Sequence, residues 1–429
     1  MNYAESLNYI ESASAPGSKP GLKRIGALLE ALSNPQKDLS FIHVAGTNGK
    51  GSVCCYLESV LQENGIKTGL YTSPHLRRVN ERFRFCGSDI SDEDLAELID
   101  DLAPVNDSLG RQCTEFELLT AAAFFYYKKL GAEIVILETG LGGRFDATNI
   151  IEKPLLSIVS SIGLDHTEIL GDTKEKIAFE KAGIFKSGCP ALCLKGDESV
   201  LEVFESEARK RGSKLYTADE SKLSLISADI GGQLFSFEGK PFKISMLGAH
   251  QLINAALAIR AVEILREGGI KIPDEALGRG LEKARLSSRL SILSDKPLFI
   301  LDGGHNPMGI ESAKAALEVI FPEREKIVIF GTMKDKDISE SLKLLKGFCS
   351  EIVCTSVGGE RAKDAAGLYE MAAETGIPGS FEPEVPGAIE KALQLAEGRN
   401  ALVLCLGSLY LAGPVLDYFE EKKNADSGN

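Results

Sequence analysis

The stretch FIHVAGTNGKGSVCCYLESVL (41–61) decides the fold of this chain. It opens with an apolar run typical of a buried strand, passes through a glycine-rich turn that carries Lys50, and continues with the apolar spacing of an amphipathic helix. Backbone N–H groups of such a turn, with the helix N-terminus, form a cradle for phosphate oxygens, and the lysine adds a positive charge. The spacing departs from GxxxxGK[ST], because Gly46 stands three residues before Gly49 and a further glycine precedes Ser52.

We predict that this turn binds a nucleotide, since a plain strand-to-helix connection would not need three glycines and a lysine after a buried strand. The predicted nucleotide-binding residues of the turn are Gly46, Thr47, Asn48, Gly49, Lys50, Gly51 and Ser52. A kinase or an ordinary P-loop ATPase would satisfy this stretch equally well. The turn alone therefore does not identify the reaction.

Apolar β-branched runs alternate with helical patterns on both sides of the turn, which is typical of an α/β protein with parallel sheets. We predict a P-loop ATPase-like N-terminal domain (1–290) with a mostly parallel sheet and a small antiparallel patch at 222–246. A Rossmann-like α/β domain (291–429) should follow, with the boundary in the polar segment SSRLSILSDK near 288–296. The predicted strands lie at 41–45, 133–138, 155–161, 297–304, 326–331, 351–356 and 401–407, and the predicted helices at 52–64, 92–102, 116–130, 174–182, 250–266 and 274–283.

The composition excludes several classes of protein. The 429 residues are 44% hydrophobic and 26% charged and carry a net charge of −14, so the chain has no bulk attraction for nucleic acid or an anionic membrane. The first residues do not form a signal peptide, and no apolar run approaches the roughly 18–20 residues of a membrane span. Nine scattered cysteines without a CxxC pair indicate reduced thiols. We expect a cytoplasmic monomer with small-molecule substrates and with neither nucleic acid nor membrane as a partner.

The segment HVAGTNGKGS resembles the nucleotide loop of the Mur ligase superfamily, specifically that of the folylpolyglutamate and dihydrofolate synthases. The resemblance continues in order through most of the chain. Its further segments are YTSPHL (71–76), NERF (80–83), TEFE (114–117), ETGLGGRFDATN (138–149), SIGLDHTEILG (161–171), EKAGIFK (180–186), GAHQLINAALAI (248–259), LDGGHNP (301–307), GTMKDKD (331–337) and GSLYLAG (407–413). Many are rich in Gly, Asp and Asn, which are poor helix and strand formers, so packing alone does not explain them.

The resemblance implies an ATP- and Mg²⁺-dependent ligase that adds L-glutamate to tetrahydrofolate, and also to dihydropteroate, through an acyl phosphate. Two alternatives remain open: a Mur-type ligase acting on another carboxylate acceptor, and a nucleotide-binding ATPase module without ligase activity. The TEFE and DATN segments disfavour the first alternative. The second leaves Asp302, His305 and the whole C-terminal domain unexplained.

Three residues are predicted metal ligands. Glu138 ends the apolar run AEIVILE and opens a glycine-rich turn, where a carboxylate beside a phosphate loop is a natural Mg²⁺ ligand. The resemblance adds Ser73 of TSPHL and His166 of GLDH as further Mg²⁺ contacts. It also implies that Lys181 is carbamylated, which would turn a cation into an anion that orients the metal.

The resemblance also assigns residues to the nucleotide and to the catalytic set. Asn254 matches a nucleotide contact, and Arg289 and Asp302 match residues that reach ATP from the boundary and the C-terminal domain. His305, three residues after Asp302, is expected at the same place. The predicted catalytic residues are Lys50, Lys181 and His305.

The acceptor is predicted to lie against three short segments, in which an aromatic ring can stack on a flat heterocycle and a guanidinium can pair with a carboxylate. The predicted acceptor-binding residues are Arg24, Arg82, Thr114, Phe116, Asp146, Ala147 and Thr148.

Overall fold

The structure is a computed structural model that describes residues 1–13, 21–110 and 113–427. Within these ranges the chain divides into two compact units. The first contains residues 1–224, 235–243 and 252–284, and the second contains 225–234, 244–251 and 285–429. None of the helices in the described ranges is long and apolar enough to cross a lipid bilayer.

An eight-stranded sheet forms the framework of the first unit. Its strands are β1 (Phe41–Ala45), β2 (Thr68–Tyr71), β3 (Phe83–Phe85), β4 (Ser88–Asp89), β5 (Ile134–Glu138), β6 (Leu156–Val159), β7 (Ala191–Leu194) and β8 (Leu215–Ala218). They lie in the order β4-β3-β2-β5-β1-β6-β7-β8. Near one edge, β3 pairs antiparallel with both β2 and β4, and all the other pairs are parallel.

Strand β1 lies near the middle of this sheet, between β5 and β6, and all five of its residues are buried. A central parallel strand is covered on both faces, which explains its continuous apolar character. Its carboxyl end delivers the chain directly into the glycine-rich turn. Val44 is in register with Glu138 of β5 and with Ile158 of β6, so the loops after all three strands leave the sheet together.

Ten helices accompany this framework. They are α1 (Tyr3–Ser12), α2 (Lys23–Ala31), α3 (Lys50–Glu63), α4 (Asp92–Ser108), α5 (Glu115–Lys129), α6 (Thr167–Leu170), α7 (Lys174–Lys181), α8 (Glu198–Lys210), α9 (Ala249–Glu267) and α10 (Asp274–Lys283). Their starts follow local chemistry: Thr114 and Glu117 form a capping box at the start of α5, and Ser91 caps α4.

A small three-stranded sheet follows in sequence, made of β9 (Leu223–Asp229), β10 (Gly232–Phe237) and β11 (Lys240–Ile244) in the order β11-β10-β9. It corresponds to the patch predicted at 222–246. The overall prediction of parallel α/β sheets with one small antiparallel sheet is confirmed.

The second unit contains a six-stranded sheet with an apolar core. Its strands are β12 (Ser291–Asp295), β13 (Leu298–Leu301), β14 (Glu325–Phe330), β15 (Glu351–Cys354), β16 (Gly379–Phe381) and β17 (Ala401–Leu406), and its helices are α11 (Pro307–Ile320), α12 (Ile338–Leu345), α13 (Ala365–Glu374), α14 (Val385–Ala396) and α15 (Ala412–Ser427). The strand order is β12-β13-β17-β14-β15-β16, with only β12 antiparallel to its neighbour.

The predicted boundary segment contains a strand. Residues Ser291–Asp295 form the edge strand β12, where Ile292 pairs with Ile300 of β13 and packs against the core of the second unit. A register shift between Ile292 and Ser294 interrupts the pairing, and such bulges are common at the edges of sheets. The ranges 1–290 and 291–429, and the separate roles given to them, stay a prediction.

Helix α10 supplies a test of how closely two helices approach. A Cβ added to Gly280 would lie 2.4 Å from Cα of Val60 on α3, whereas one added to Gly278 meets nothing within 4 Å. We expect Gly280→Ala to lower the free energy of unfolding by about 1–3 kcal/mol through overpacking. The matched variant Gly278→Ala should raise it by up to about 1 kcal/mol, because alanine is the better helix former.

Urea titrations of the two variants, followed by circular dichroism, measure the difference. Equal stability of the two variants would contradict the close helix contact.

Candidate active site

The glycine-rich turn between β1 and α3 is held in a shape that only glycine permits. A Cβ on Gly46 would lie 1.8 Å from Oγ of Ser160, and one on Gly49, whose φ is 86°, would lie 2.3 Å from Oδ1 of Asn254. Both positions therefore exclude a side chain. Asn254, a predicted nucleotide contact, therefore lies directly against the turn, and it is only 5% exposed.

The loop after β6 fixes the turn from the opposite side. Ser160 Oγ and Ser161 Oγ donate to the Asn48 carbonyl at 2.7 and 3.0 Å, and Thr47 Oγ1 exchanges hydrogen bonds with Gly163. These serines were missed from sequence. Their only signal was the run SSIGLDH directly after a buried strand.

Two lysines meet at one carbonyl of the turn. Nζ of Lys50 lies 3.1 Å from the Gly46 oxygen and 3.3 Å from that of Thr47, and Nζ of Lys181 lies 2.8 Å from the same Gly46 oxygen. Lys181 is 4% exposed. The predicted pair of catalytic lysines in this unit is therefore close together at the phosphate loop.

The electrostatic surroundings of Lys181 favour its neutral form. Burial, followed by the positive charge of Lys50, lowers the pKa of Lys181 to about 7, although the carboxylates of Asp165 and Asp146 act in the opposite direction. A sizeable fraction of this amine is therefore unprotonated near neutral pH. Asp165 is a second group that sequence reasoning missed.

The predicted metal ligands Ser73 and Glu138 lie side by side. The backbone N–H of Ser73 donates to Oε2 of Glu138 at 3.2 Å, and the buried Oγ of Ser73 has no hydrogen-bond partner among the described residues. A buried hydroxyl without a partner beside a carboxylate suits a hard cation that prefers oxygen ligands. These two residues fit Mg²⁺.

His166, the third predicted ligand, is exposed and has a left-handed φ of 50° directly before α6. Its backbone N–H donates to Oδ1 of Asp165 at 2.9 Å. No cluster of three or more His, Cys, Asp or Glu side chains suited to a metal occurs in the part of the chain that the structure describes.

The predicted acceptor residues surround the loop that follows β5. The ring of Phe116 covers Gly140, where an added Cβ would lie 2.8 Å from the ring. Asp146 accepts from the backbone N–H groups of Gly140 and Leu141, both at 2.9 Å, and burial raises its pKa. Thr148 Oγ1 donates to Asp146 at 2.5 Å, and the adjacent Ala147 is buried.

Two predicted acceptor-binding arginines have protein partners. Arg24 Nε donates to Glu117 at 2.9 Å, next to the Thr114 cap of α5. Arg82 Nε donates to Nδ1 of His75 at 2.9 Å and pairs with Glu115 at 3.5 Å.

These arginines tie neighbouring loops to the start of α5. Burial and the adjacent Arg82 lower the pKa of His75 to about 4, so its ring is neutral and accepts this bond.

In the second unit, Asp302 organises the loop that carries Arg289. Its carboxylate accepts from the backbone N–H of Leu290 at 3.0 Å and of Gly304 at 2.8 Å. Ser288 and Leu290, on either side of Arg289, have left-handed φ values of 64° and 46°. Non-glycine residues rarely adopt this region, so the loop is strained, and the Asp302 bonds hold it.

Two histidines belong to this second cluster. His305 Nδ1 lies 3.0 Å from the Gly303 oxygen. His250 has a buried Nδ1 without a partner among the described residues, and burial, aided by Arg289 and opposed by Asp302, lowers its pKa. The predicted residues thus form two groups, one in each unit.

Comparisons with known proteins agree with this arrangement. Residues 44–262 match the Mur ligase middle domain, and residues 288–409 match the Mur ligase glutamate ligase domain. The dihydrofolate synthase/folylpolyglutamate synthase of Bacillus subtilis is 37% identical over 96% of this chain and 98% of the relative. That of Escherichia coli is 32% identical over 98% of this chain and 96% of the relative.

Solved structures give the same result. A folylpolyglutamate synthase of Mycobacterium tuberculosis complexed with ADP and AMPPCP superposes with a TM-score of 0.88 at 28% identity, covering 97% of this chain and 99% of the other. E. coli FolC in complex with DHPP and ADP gives 0.86 at 30% identity, with 99% of each chain covered. The chain belongs to the Mur ligase family and, within it, to the folylpolyglutamate and dihydrofolate synthases.

Proposed function

We propose that the protein is an ATP-dependent ligase that joins the amine of L-glutamate to the carboxylate of a folate. The observation that carries the proposal is the meeting of Lys50 and Lys181 at the Gly46 carbonyl, in a glycine-only turn beside the paired Ser73 and Glu138. Such a site suits the transfer of a phosphoryl group, which depends on positioning and on charge. The ADP complexes of the structural relatives support a nucleotide at this turn.

The reaction divides into two transfers. The folate carboxylate attacks the terminal phosphorus of ATP, giving an acyl phosphate and ADP, and the glutamate amine then attacks the acyl carbon and releases phosphate. Lys50 would exchange its bonds to the Gly46 and Thr47 carbonyls for phosphate oxygens. The backbone N–H groups of the turn and of the start of α3 would bind the same phosphates.

Ser73 and Glu138 would hold Mg²⁺, with His166 at a second ion. Bound Mg²⁺ supplies positive charge that neutralises the phosphates. Ser73 contributes a buried hydroxyl that has no hydrogen-bond partner among the described residues, and its N–H donates to the Glu138 carboxylate. The protein therefore needs little rearrangement at this pair.

Lys181 would act after reaction with carbon dioxide. Its neutral Nζ attacks the carbon of CO₂, a C–N bond forms, one C=O electron pair moves onto oxygen, and a proton leaves Nζ for water. Burial and the charge of Lys50, which lower the pKa of Lys181 to about 7, support this step because only the neutral amine reacts. The product is an anion where the unmodified side chain would repel a metal.

The acceptor would lie against Phe116, whose ring is fixed on Gly140, with Asp146, Ala147, Thr148 and the neighbouring arginines around it. The B. subtilis relative carries the names of both dihydrofolate synthase and folylpolyglutamate synthase. We therefore propose that dihydropteroate is accepted as well as tetrahydrofolate. In the second unit, Arg289, Asp302 and His305 would serve the nucleotide.

The first prediction tests the reaction itself. ADP release by the purified protein should require both a folate and L-glutamate, and mass spectrometry should find the glutamylated product with tetrahydrofolate and dihydropteroate offered separately. Lys50→Ala should lower kcat by about 10²–10³-fold, because the lysine charge acts on the transferring phosphoryl group.

Lys67→Ala, which removes an exposed lysine just before β2, should leave the rate unchanged. ADP release that is independent of the folate would refute ligation and favour a plain ATPase.

The second prediction concerns Lys181. Lys181→Arg keeps the cation but cannot form the carbamate, and we expect a loss of activity of about 10²-fold or more. Lys181→Ala should be equally inactive and should recover partly when acetate is added, since a carboxylate can then occupy the vacated space. Lys174→Arg, an exposed lysine on the same helix, should be fully active.

Full activity of Lys181→Arg would rule out the carbamate.

The third prediction concerns Phe116, the residue proposed to contact the ring of the acceptor. Gly140→Ala should displace Phe116 and raise KM for the folate by about three- to tenfold, the value of one aromatic contact, while KM for ATP stays the same. Adding Phe116→Val should relieve the clash and restore the midpoint of thermal unfolding without restoring folate affinity.

Steady-state kinetics and calorimetry distinguish these effects. An unchanged folate KM in Gly140→Ala would remove Phe116 from the acceptor site.

A further inference from the structure

The carboxyl end of helix α7 is closed by a residue from outside the helix. The last carbonyl groups of a helix have no partner within it. Here the backbone N–H of Arg144 donates to the Glu180 oxygen at 2.9 Å, and Nη2 of Arg144 donates to the Phe179 oxygen at 2.9 Å. A guanidinium at this end also interacts favourably with the helix dipole. The next residue of the helix, and its last, is Lys181.

The side chain of Arg144 is fixed by partners on two helices. Its guanidinium carbon lies 4.0 Å from the centre of the Phe179 ring, and its Nη2 lies 3.1 Å from Oε2 of Glu207 on α8. Glu207 is 3% exposed and also pairs with Lys210 and Arg211. Burial alone would raise its pKa, but the three cationic donors outweigh burial and lower it to about 2, so this anchor is charged at any ordinary pH.

Backbone contacts also join the segment around Arg144 to the end of α7. A Cβ on Gly143 would lie 2.9 Å from the carbonyl oxygens of both Glu180 and Lys181, and one on Gly183 would lie 2.4 Å from Cα of Arg144. The two chain segments therefore touch main chain to main chain, with no side chain between them. A shift of one segment must move the other.

Asn149 joins the same two segments. Its Nδ2 donates to the Arg144 oxygen at 3.0 Å and to the Gly183 oxygen at 3.1 Å. The loop that begins at Glu138 thus returns to close α7 before it reaches β6. Of this loop, GLGGRFDATN, sequence reasoning assigned only Asp146, Ala147 and Thr148.

We propose that Arg144 is a positioning residue that closes the end of α7, holds Lys181 Nζ at the Gly46 carbonyl, and thereby promotes carbamylation of this lysine. The inference rests on the proposed function, since it assumes the carbamate described above. The Arg144 side chain contacts Phe179, Glu180 and Glu207, so its effect on Lys181 passes through the end of α7.

The experiment follows the carbamate directly by ¹³C NMR of the full-length protein during titration with ¹³C-bicarbonate, beside kcat and KM measurements. In Arg144→Ala, half-occupancy of the carbamate should need about tenfold more bicarbonate, as expected for loss of a charged helix cap. Its kcat at low bicarbonate should fall in parallel and recover at saturation, while the KM values stay unchanged.

Two further variants make the result specific. Arg144→Lys keeps the charge but has no planar guanidinium, so its bicarbonate concentration at half-occupancy should lie between those of wild type and Arg144→Ala. If Arg144→Ala is unstable, Arg144→Lys replaces it as the test. Lys210→Ala removes another cation from Glu207 without touching α7 and should titrate like wild type.

Two outcomes would overturn the proposal and are distinguishable. A carbamate signal in wild type that keeps the same bicarbonate dependence in Arg144→Ala and Arg144→Lys overturns the role of Arg144 alone. Absence of the signal from the wild-type protein overturns the carbamate itself, together with this inference, while leaving ADP release and product formation to judge the ligase.

Discussion

The amino groups of Lys50 and Lys181 share the carbonyl oxygen of Gly46, and this shared acceptor holds both side chains at the phosphate turn. Lys50 comes from α3, the helix that follows the turn. Lys181 comes from α7 and is 135 residues from Gly46 in the sequence. Burial, and after it the positive charge of Lys50, lowers the pKa of Lys181 and favours its neutral amine. The same arrangement therefore holds the turn in shape and prepares one lysine for chemistry that a cation cannot perform.

The turn can hold this carbonyl in place because its glycines allow close approach. Ser160 and Asn254 occupy the space that side chains at Gly46 and Gly49 would need, and they come from the loop after β6 and from α9. The loop from Glu138 to Asn149 adds a second constraint. Glu138 lies beside Ser73, Gly140 supports the Phe116 ring, and Arg144 closes the end of α7. One loop thus connects the predicted metal, acceptor and lysine positions of this unit.

In the second unit, a carboxylate rather than a pair of lysines holds the candidate loop in place. Asp302 uses both carboxylate oxygens on backbone N–H groups, and the result is a strained loop that presents Arg289. Left-handed conformations at Ser288 and Leu290 cost about 1–3 kcal/mol each, and they persist only where neighbouring bonds outweigh them. Strain of this kind is often found at functional sites, and Arg289, which the sequence resemblance assigned to the nucleotide, lies between these two residues.

The sequence by itself determined the α/β class, the phosphate turn and the identity of most candidate site residues, because these depend on local patterns. A buried strand, glycines and a lysine in FIHVAGTNGKGS, or Glu138 after AEIVILE, can be recognised within a few residues. Short strands such as Thr68–Tyr71 and Ala191–Leu194 carry too few residues for a periodic pattern, and Ser291–Asp295 has the polar composition of a loop.

Only the tertiary structure decided which side chains meet. Lys181 has the sequence context of a surface lysine, and its burial follows from packing of α7 beside the phosphate turn. Arg144, Ser160 and Asp165 stand in recognisable loop segments, but those segments do not reveal their partners, which lie far away in the sequence. Contacts between residues far apart in sequence arise from the sheet order and from the close approach of glycine backbones, and a single sequence does not encode these distances locally.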